Sequence, residues 1–170
     1  CSFTERTGCS VVGGRAMTGM IDERLAQLGL TLPGAPAPAA NYVPFVRTGD
    51  LVFISGQLSQ GPSGLICGKL GDSMDVAAGA DAARACGLGI IAQLRVACEG
   101  DLDHVVRAVR LTGFVNSTPG FTDQPRVING CSDLMVAVFG DAGRHARAAV
   151  SAASLPLGVA VEIDAIFEVR

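Results

Sequence analysis

From His145 to Arg170 the chain reads HARAAVSAASLPLGVAVEIDAIFEVR, and its polar and apolar positions describe two β-strands. In the second, Val159, Val161, Ile163, Ala165, Phe167 and Val169 fall on one face, with Ala160, Glu162, Asp164, Ile166 and Glu168 on the other. That period of two marks a strand with one buried face. The first strand carries one charge after its opening residues, Arg147, among Ala and Val. A guanidinium in so apolar a strand needs a partner, because an unpaired buried charge is strongly destabilising. A tight connection at Leu155-Pro156-Leu157-Gly158 predicts a hairpin that pairs Ser154 with Val159. In that register Arg147 shares a face with Glu162, and a slip of one residue separates them.

Upstream, LVFISGQLS contains a continuous apolar run, Leu51 to Ile54, ending in Ser55-Gly56. Such a run predicts a central strand covered on both faces, with the glycine allowing a turn or a close approach. QGPSGLICGKLGDS then predicts a Gly-rich hairpin or wide loop. The strongest helical pattern runs from about Ser73 to Glu99, capped by Asp72 or Ser73 and ended by Gly100. Its stripe of Val76, Ala80, Ala83, Gly87, Ile90, Leu94 and Ala97 is shallow, suited to lying on a sheet. A strand follows from about His104 to Val115, with Arg107 on one face and Val106, Ala108 and Arg110 on the other. A second helix is predicted from Gln124 to Phe139, with Pro125 at its first position and Val127, Ile128, Cys131, Leu134, Met135 and Val138 as its apolar face. Asn129-Gly130 within it is unfavourable for a helix. The order of elements predicts an α+β fold, a mixed or antiparallel sheet with two helices packed on one face. Its other face then needs cover, which an oligomer supplies.

Before these elements, Leu32 to Pro44 holds four prolines in thirteen residues and is expected to be extended. It contains Tyr42, the only tyrosine. Ile21 to Leu30 forms a short amphipathic segment in which Leu25, Leu28 and Leu30 can face a core. Residues 1–19 are polar, Gly-rich and without a period. They are expected to be a disordered or spurious N-terminal extension, leaving residues 20–170 as one domain.

Composition narrows the function. Of 170 residues, 49% are hydrophobic and 17% charged, a balance that agrees with surface buried between subunits. The net charge of −3, without a basic run, argues against nucleic acid as a partner. No apolar run reaches the length of a membrane span, and no h-region of a secretory signal is present. The six cysteines form no CxxC pair and only two histidines accompany them, so thiols in a reducing cytoplasm are expected, with no metal.

Signatures for phosphate loops, dinucleotide turns, zinc proteases and serine hydrolases are missing from the sequence. His104 and His145 each stand at a strand start, where a lone histidine is usually a surface residue. The remaining candidates are Arg147, Glu162, Asn129, Tyr42 and Ser55-Gly56-Gln57. Each has a plainer role available: Arg147 satisfying Glu162 or Asp164 as an ion pair, Asn129 turning a loop, Tyr42 anchoring the linker, Ser55-Gly56 making a turn.

The segments APAANYVP, LVFISGQL, GDLDHVVRAVRLTGFVNSTPGF, QPRVINGCSDL and HARAAVSAASLPLGVAVEIDAI together resemble the RidA/YjgF family, in its YjgF/chorismate-mutase-like, endoribonuclease L-PSP-like branch. The resemblance spans about Ile21 to Arg170. It implies a chorismate-mutase-like (YjgF-like) fold, a homotrimer with inter-subunit clefts, and cofactor-independent hydrolysis of 2-imino acids such as 2-aminoacrylate to 2-keto acids and ammonia. It places the carboxylate-binding arginine at Arg147 and the water-handling glutamate at Glu162, with Tyr42, Ser55, Gly56 and Asn129 lining the cleft. Where the archetype has a cysteine two residues after the arginine, this chain has Ala149, so thiol chemistry is removed there. The alternatives are a non-catalytic trimeric module for small carboxylates, a purely structural assembly protein, or another activity on the same scaffold. Chorismate mutation needs further cations to grip a dicarboxylate, and ribonuclease action needs basic surface.

Overall fold

A computed structural model of the chain describes residues 19–35 and 41–170. The proposed extension therefore lies outside the described residues except for Gly19, as do Cys1, Cys9 and the middle of the proline-rich linker. The elements in order are α1 (Met20–Gln27), β1 (Phe45–Thr48), β2 (Leu51–Leu58), the two-residue strands β3 (Gln60–Gly61) and β4 (Gly64–Leu65), α2 (Val76–Ala97), β5 (Val105–Asn116), α3 (Gln124–Phe139), β6 (Ala146–Ala152) and β7 (Val161–Val169). Five strands form one mixed sheet in the order β1-β2-β7-β5-β6, and β3 pairs with β4 alone. Only β5 and β6 run parallel; the other neighbours are antiparallel.

Periodicity located the elements well. Strand β7 buries Val161, Ile163, Ala165, Phe167 and Val169, and leaves the alternate residues partly exposed. Helix α3 has the expected bounds and apolar face, with Pro125 in its first turn. Helix α2 starts three residues later than expected. Asp75, rather than Asp72 or Ser73, is its N-cap, with Oδ1 accepting from Ala78 N–H at 2.8 Å. The Gly-rich excursion does contain a small hairpin, β3–β4.

The C-terminal hairpin does not form. Strand β5 lies between β6 and β7 and pairs with both, parallel to one and antiparallel to the other. The connection after Ala152 therefore crosses the end of β5, where Ala152 and Ala160 carbonyls accept from Ser117 and Asn116 N–H at 3.2 and 2.9 Å. Lys69 fastens this crossing, donating to Asn116 Oδ1 and the Ala153 carbonyl, each at 2.7 Å. A hairpin would have satisfied one edge of β6; insertion of β5 satisfies β5 on both edges, which its buried Leu111 and Val115 require.

Helices α2 and α3 pack on one face, over Val52 and Ile54 of β2, the apolar row of β7, and Ala108, Leu111 and Val115 of β5. Two irregularities in β5, near Val105–Arg107 and Ala108–Arg110, break the alternation expected there. As a result Ala108 is buried while Val106 stays exposed. Strand β2 is interior to the sheet, but only one of its faces is covered. Val52 is fully buried and Phe53 is 41% exposed. Gly130, an unpromising residue mid-helix, has a packing reason. A Cβ there would overlap the Ala80 carbonyl of α2, so glycine lets the two helices pack closely at this point.

Helix α1 lies against α3 through Arg24 Nε, which donates to the Ala137 carbonyl at 2.8 Å. Its N-terminus borrows a cap from afar: Asp103 accepts from Met20 and Ile21 N–H at 2.8 and 2.9 Å. Leu25 is buried and Leu30 packs against the core, whereas Leu28, expected to face it, is exposed. No helix among the described residues is long and apolar enough to cross a membrane.

Candidate functional site

Strand β2 carries one extra residue relative to β7. Ile54 faces Ala165 and Gln57 faces Ile163, so Ser55-Gly56 forms a bulge. The bulge redirects Ser55, whose N–H donates to the Pro44 carbonyl at 2.9 Å and whose hydroxyl donates to the Val43 carbonyl at 2.8 Å. These bonds pin the segment that presents Tyr42. The result is an open cleft of about 570 Å³ lined by Tyr42, Val46, Phe53, Ser55, Gly56, Glu162, Asp164 and Ile166.

Glu162 lies on the sheet face without helices, opposite Leu58 of β2 and Phe114 of β5. Its carboxyl group packs directly on Gly56, in space that a Cβ would fill. Partial burial, and secondarily the neighbouring Asp164 carboxylate, raise its pKa above the ordinary glutamate value. Neither acid forms an ion pair among the described residues.

Arg147 is elsewhere. It pairs with Leu111 of β5, which also faces Ala165, so its side chain belongs to the helix-covered face of the edge strand β6. The expectation that Arg147 and Glu162 share a face is thus overturned, since the register that implied it belonged to the missing hairpin. The partners of Arg147 are on α3: its Nη1 donates to Asn129 Oδ1 at 2.8 Å and to Ser132 Oγ at 3.2 Å. Ser132 lies 3.0 Å from His145 Nε2, and His145 Nδ1 lies 2.6 Å from the Gly143 carbonyl. A carbonyl only accepts, so Nδ1 bears the proton. Burial lowers the His145 pKa; the Gly143 bond opposes this, and Arg147 lowers it further. The neutral ring accepts at Nε2 from the Ser132 hydroxyl. His145 is therefore half-buried and fully engaged, not the free surface residue its position suggested. His104, at the other strand start, has the plainer role expected, 3.7 Å from Asp101 on the surface.

Of the seven candidates, Gln57 turns back on the bulge, its amide donating to the Ser55 carbonyl at 2.9 Å, and the other six fall into two groups. Tyr42, Ser55, Gly56 and Glu162 share the cleft on the bare face; Asn129 and Arg147 bond to each other at the β6 edge. Sequence reasoning offered Asp164 only as an ion-pair partner for Arg147 and missed its place in the cleft, as it missed Ser132 and the engagement of His145. Ser132 was legible in principle, three residues after Asn129 and so on the same side of α3. Ala149 pairs with Gly113 on the helix-covered face and packs against the core. Among the described residues, no three His, Cys, Asp or Glu side chains group as metal ligands.

Comparison with known proteins agrees with this architecture. Residues 22–168 match the family model described as YjgF/chorismate mutase-like, putative endoribonuclease. Protein TCP17 of Trypanosoma cruzi is 49% identical, over 90% of this chain and 96% of its own length. The crystal structure of Atu1372 from Agrobacterium tumefaciens, a protein of unknown function, is 47% identical, covering 88% of this chain and 94% of that one, with a TM-score of 0.81. E. coli TdcF with bound serine is 26% identical, covering 80% and 93%, with a TM-score of 0.55. By the extent of these matches and the topology of its sheet, the chain belongs to the YjgF/chorismate mutase-like (RidA, L-PSP) family.

Proposed function

We propose that the protein hydrolyses 2-imino acids, such as the tautomer of 2-aminoacrylate, to 2-keto acids and ammonia in clefts between the copies of a homotrimer. One observation carries the reading. Arg147, bonded to Asn129, and Glu162, in its cleft, occupy opposite faces of one sheet; we read the first as a carboxylate grip and the second as the proton-handling carboxylate. Neither half is sufficient alone, and the half bearing Glu162 opens onto an uncovered face with Val46 53%, Phe53 41% and Val150 45% exposed. A second copy that covers this face brings an arginine edge toward a glutamate cleft.

The chemistry balances without a cofactor. Arg147 holds the substrate carboxylate through the planar guanidinium fork. The substrate reacts as its N-protonated imine: Glu162 accepts a proton from water as the water oxygen bonds to the imine carbon, and the C=N electrons move to nitrogen to give the neutral carbinolamine. Protonated Glu162 then donates to the amino group, the C–N bond breaks as Glu162 takes the hydroxyl proton, the keto carbonyl forms, and ammonia leaves as ammonium with that last proton. A carboxyl group with a raised pKa serves both directions of transfer better than an ordinary one. Positioning in a cleft supplies much of the rate. The bound serine of TdcF supports a ligand of this size and class. The four cysteines described are all free thiols, consistent with a cytoplasmic setting.

The test is complementation between copies. R147A and E162Q should each lose ammonia release from 2-aminoacrylate while light scattering still reports a trimer. Co-assembled mixtures of the two should regain activity, because one intact arginine then meets one intact glutamate. Turnover by R147A at the wild-type rate overturns the reading. Binding of 2-keto acids by calorimetry with no ammonia from any imine indicates a carboxylate-binding module instead.

A further inference from the structure

We propose that Ser132 and His145 are positioning residues that decide which edge of Arg147 meets the substrate carboxylate. The inference rests on the reading of Arg147 given above. A guanidinium has five N–H donors. Asn129 Oδ1 and Ser132 Oγ take both protons of Nη1, at 2.8 and 3.2 Å. What remains is the edge formed by Nε and Nη2, which has no partner among the described residues and matches the two oxygens of a carboxylate.

Ser132 accepts from Arg147 only with its own proton directed away, and the neutral His145 ring provides that direction. Its Nε2 is 3.0 Å from the hydroxyl, while Nδ1–H is tied to the Gly143 carbonyl at 2.6 Å. The chain of bonds therefore has one polarity, from Arg147 through Ser132 and His145 to the backbone. It holds an otherwise exposed, rotamer-rich side chain in a single orientation, so less ordering remains to be done when an anion arrives. The ligand this edge suits is a planar 2-oxo or 2-imino acid, held side-on.

Pyruvate is the probe, titrated into the intact oligomer by NMR, with steady-state kinetics on 2-aminoacrylate alongside. R147A should lose pyruvate binding. S132A should weaken pyruvate binding and raise KM by about tenfold, the effect of one hydrogen bond to a charged group, with kcat nearly unchanged. S132T, which keeps the hydroxyl, should recover wild-type values to within about twofold, a span too small to signal a lost bond. H145A, an independent variant, should fall between S132A and wild type. Wild-type binding by R147A removes the reading of Arg147 and this inference with it. Lost binding in R147A with unchanged S132A and H145A removes this inference alone. Equal losses in S132A and S132T, or a loss in kcat with KM preserved, also overturn it.

Discussion

Replacement of Gly56 by alanine probes the cleft without touching a polar group. A Cβ at this position would lie 3.0 Å from Glu162 Cδ and 3.1 Å from Cγ, and closer still to Oε1. Carbon atoms in contact keep about 3.5–4.0 Å apart, so the carboxyl group must swing away by roughly 0.5–1 Å. The obstructing atoms are the end of a flexible side chain, and the backbone of Gly56 is not in the left-handed region. The sheet can therefore keep its register while the carboxylate moves. A displacement of about 1 Å from a reactive geometry is enough to cost about 100-fold in rate. We expect G56A to lower kcat/KM for 2-aminoacrylate by about 10- to 100-fold on that scale. Its Tm should fall by no more than about 4 °C, the shift that accompanies about 1 kcal/mol in a domain of this size. A coupled ammonia assay and a thermal melt measure the two quantities. Wild-type kcat/KM in G56A would refute the assignment of Glu162 to the reacting centre. A large drop in Tm with equal loss in E162Q would instead make Gly56 a folding residue.

Other expectations follow from the same structure. G130A places its Cβ against the backbone carbonyl of Ala80, which no rotamer change can relieve; urea denaturation should show a loss of about 3 kcal/mol, the upper end for overpacking. Because the folded state raises the Glu162 pKa, folded protein binds more protons there than unfolded protein. Its contribution to stability therefore falls as pH rises from the ordinary glutamate range through the raised value. Activity should rise through the same window, as the base ionises. D164N should move that midpoint down but not back to an ordinary glutamate value, since burial, the larger cause, remains; a pH–rate profile unchanged in D164N would contradict this. Burial pushes the Cys131 thiol up to about 12 and raises Cys86 and Cys98 as well. A native-state thiol reagent should therefore modify exposed Cys67 and spare these three, as read by peptide mass mapping.

What the sequence made legible was local. Helix α3 announced itself through Pro125 and its apolar rows, and β7 through strict alternation. The error concerned neighbours. Chain adjacency predicted that β6 pairs with β7, but the eight residues between them, 153–160, suffice to cross an intervening strand, about 10 Å at sheet spacing. Nothing in that stretch signals that β5 also lacks a neighbour. The site shows the same limit. Arg147 was recognised as a charge in need of company, and a strand register offered Glu162. Its actual company, Asn129 and Ser132, arrives through α3, the helix joining the parallel pair β5 and β6. No strand periodicity encodes that meeting, and the separation of the two half-sites is legible only once the sheet order is known.

The position of β7 bears on how the molecule is made. This strand lies later in the chain than both its partners, β2 and β5, and joins them across the middle of the sheet. During synthesis β1 and β2 have only each other, and β5 and β6 likewise, until residues 161–169 have emerged. Contacts so distant in sequence close slowly. Both apolar sheet halves, and helix α2 above them, thus wait for one late segment to insert between them. Substitutions in Ile163, Ala165 or Phe167 should for that reason slow folding as well as weaken the folded state. Their effect belongs to the period when the chain is most exposed to chaperones and to aggregation.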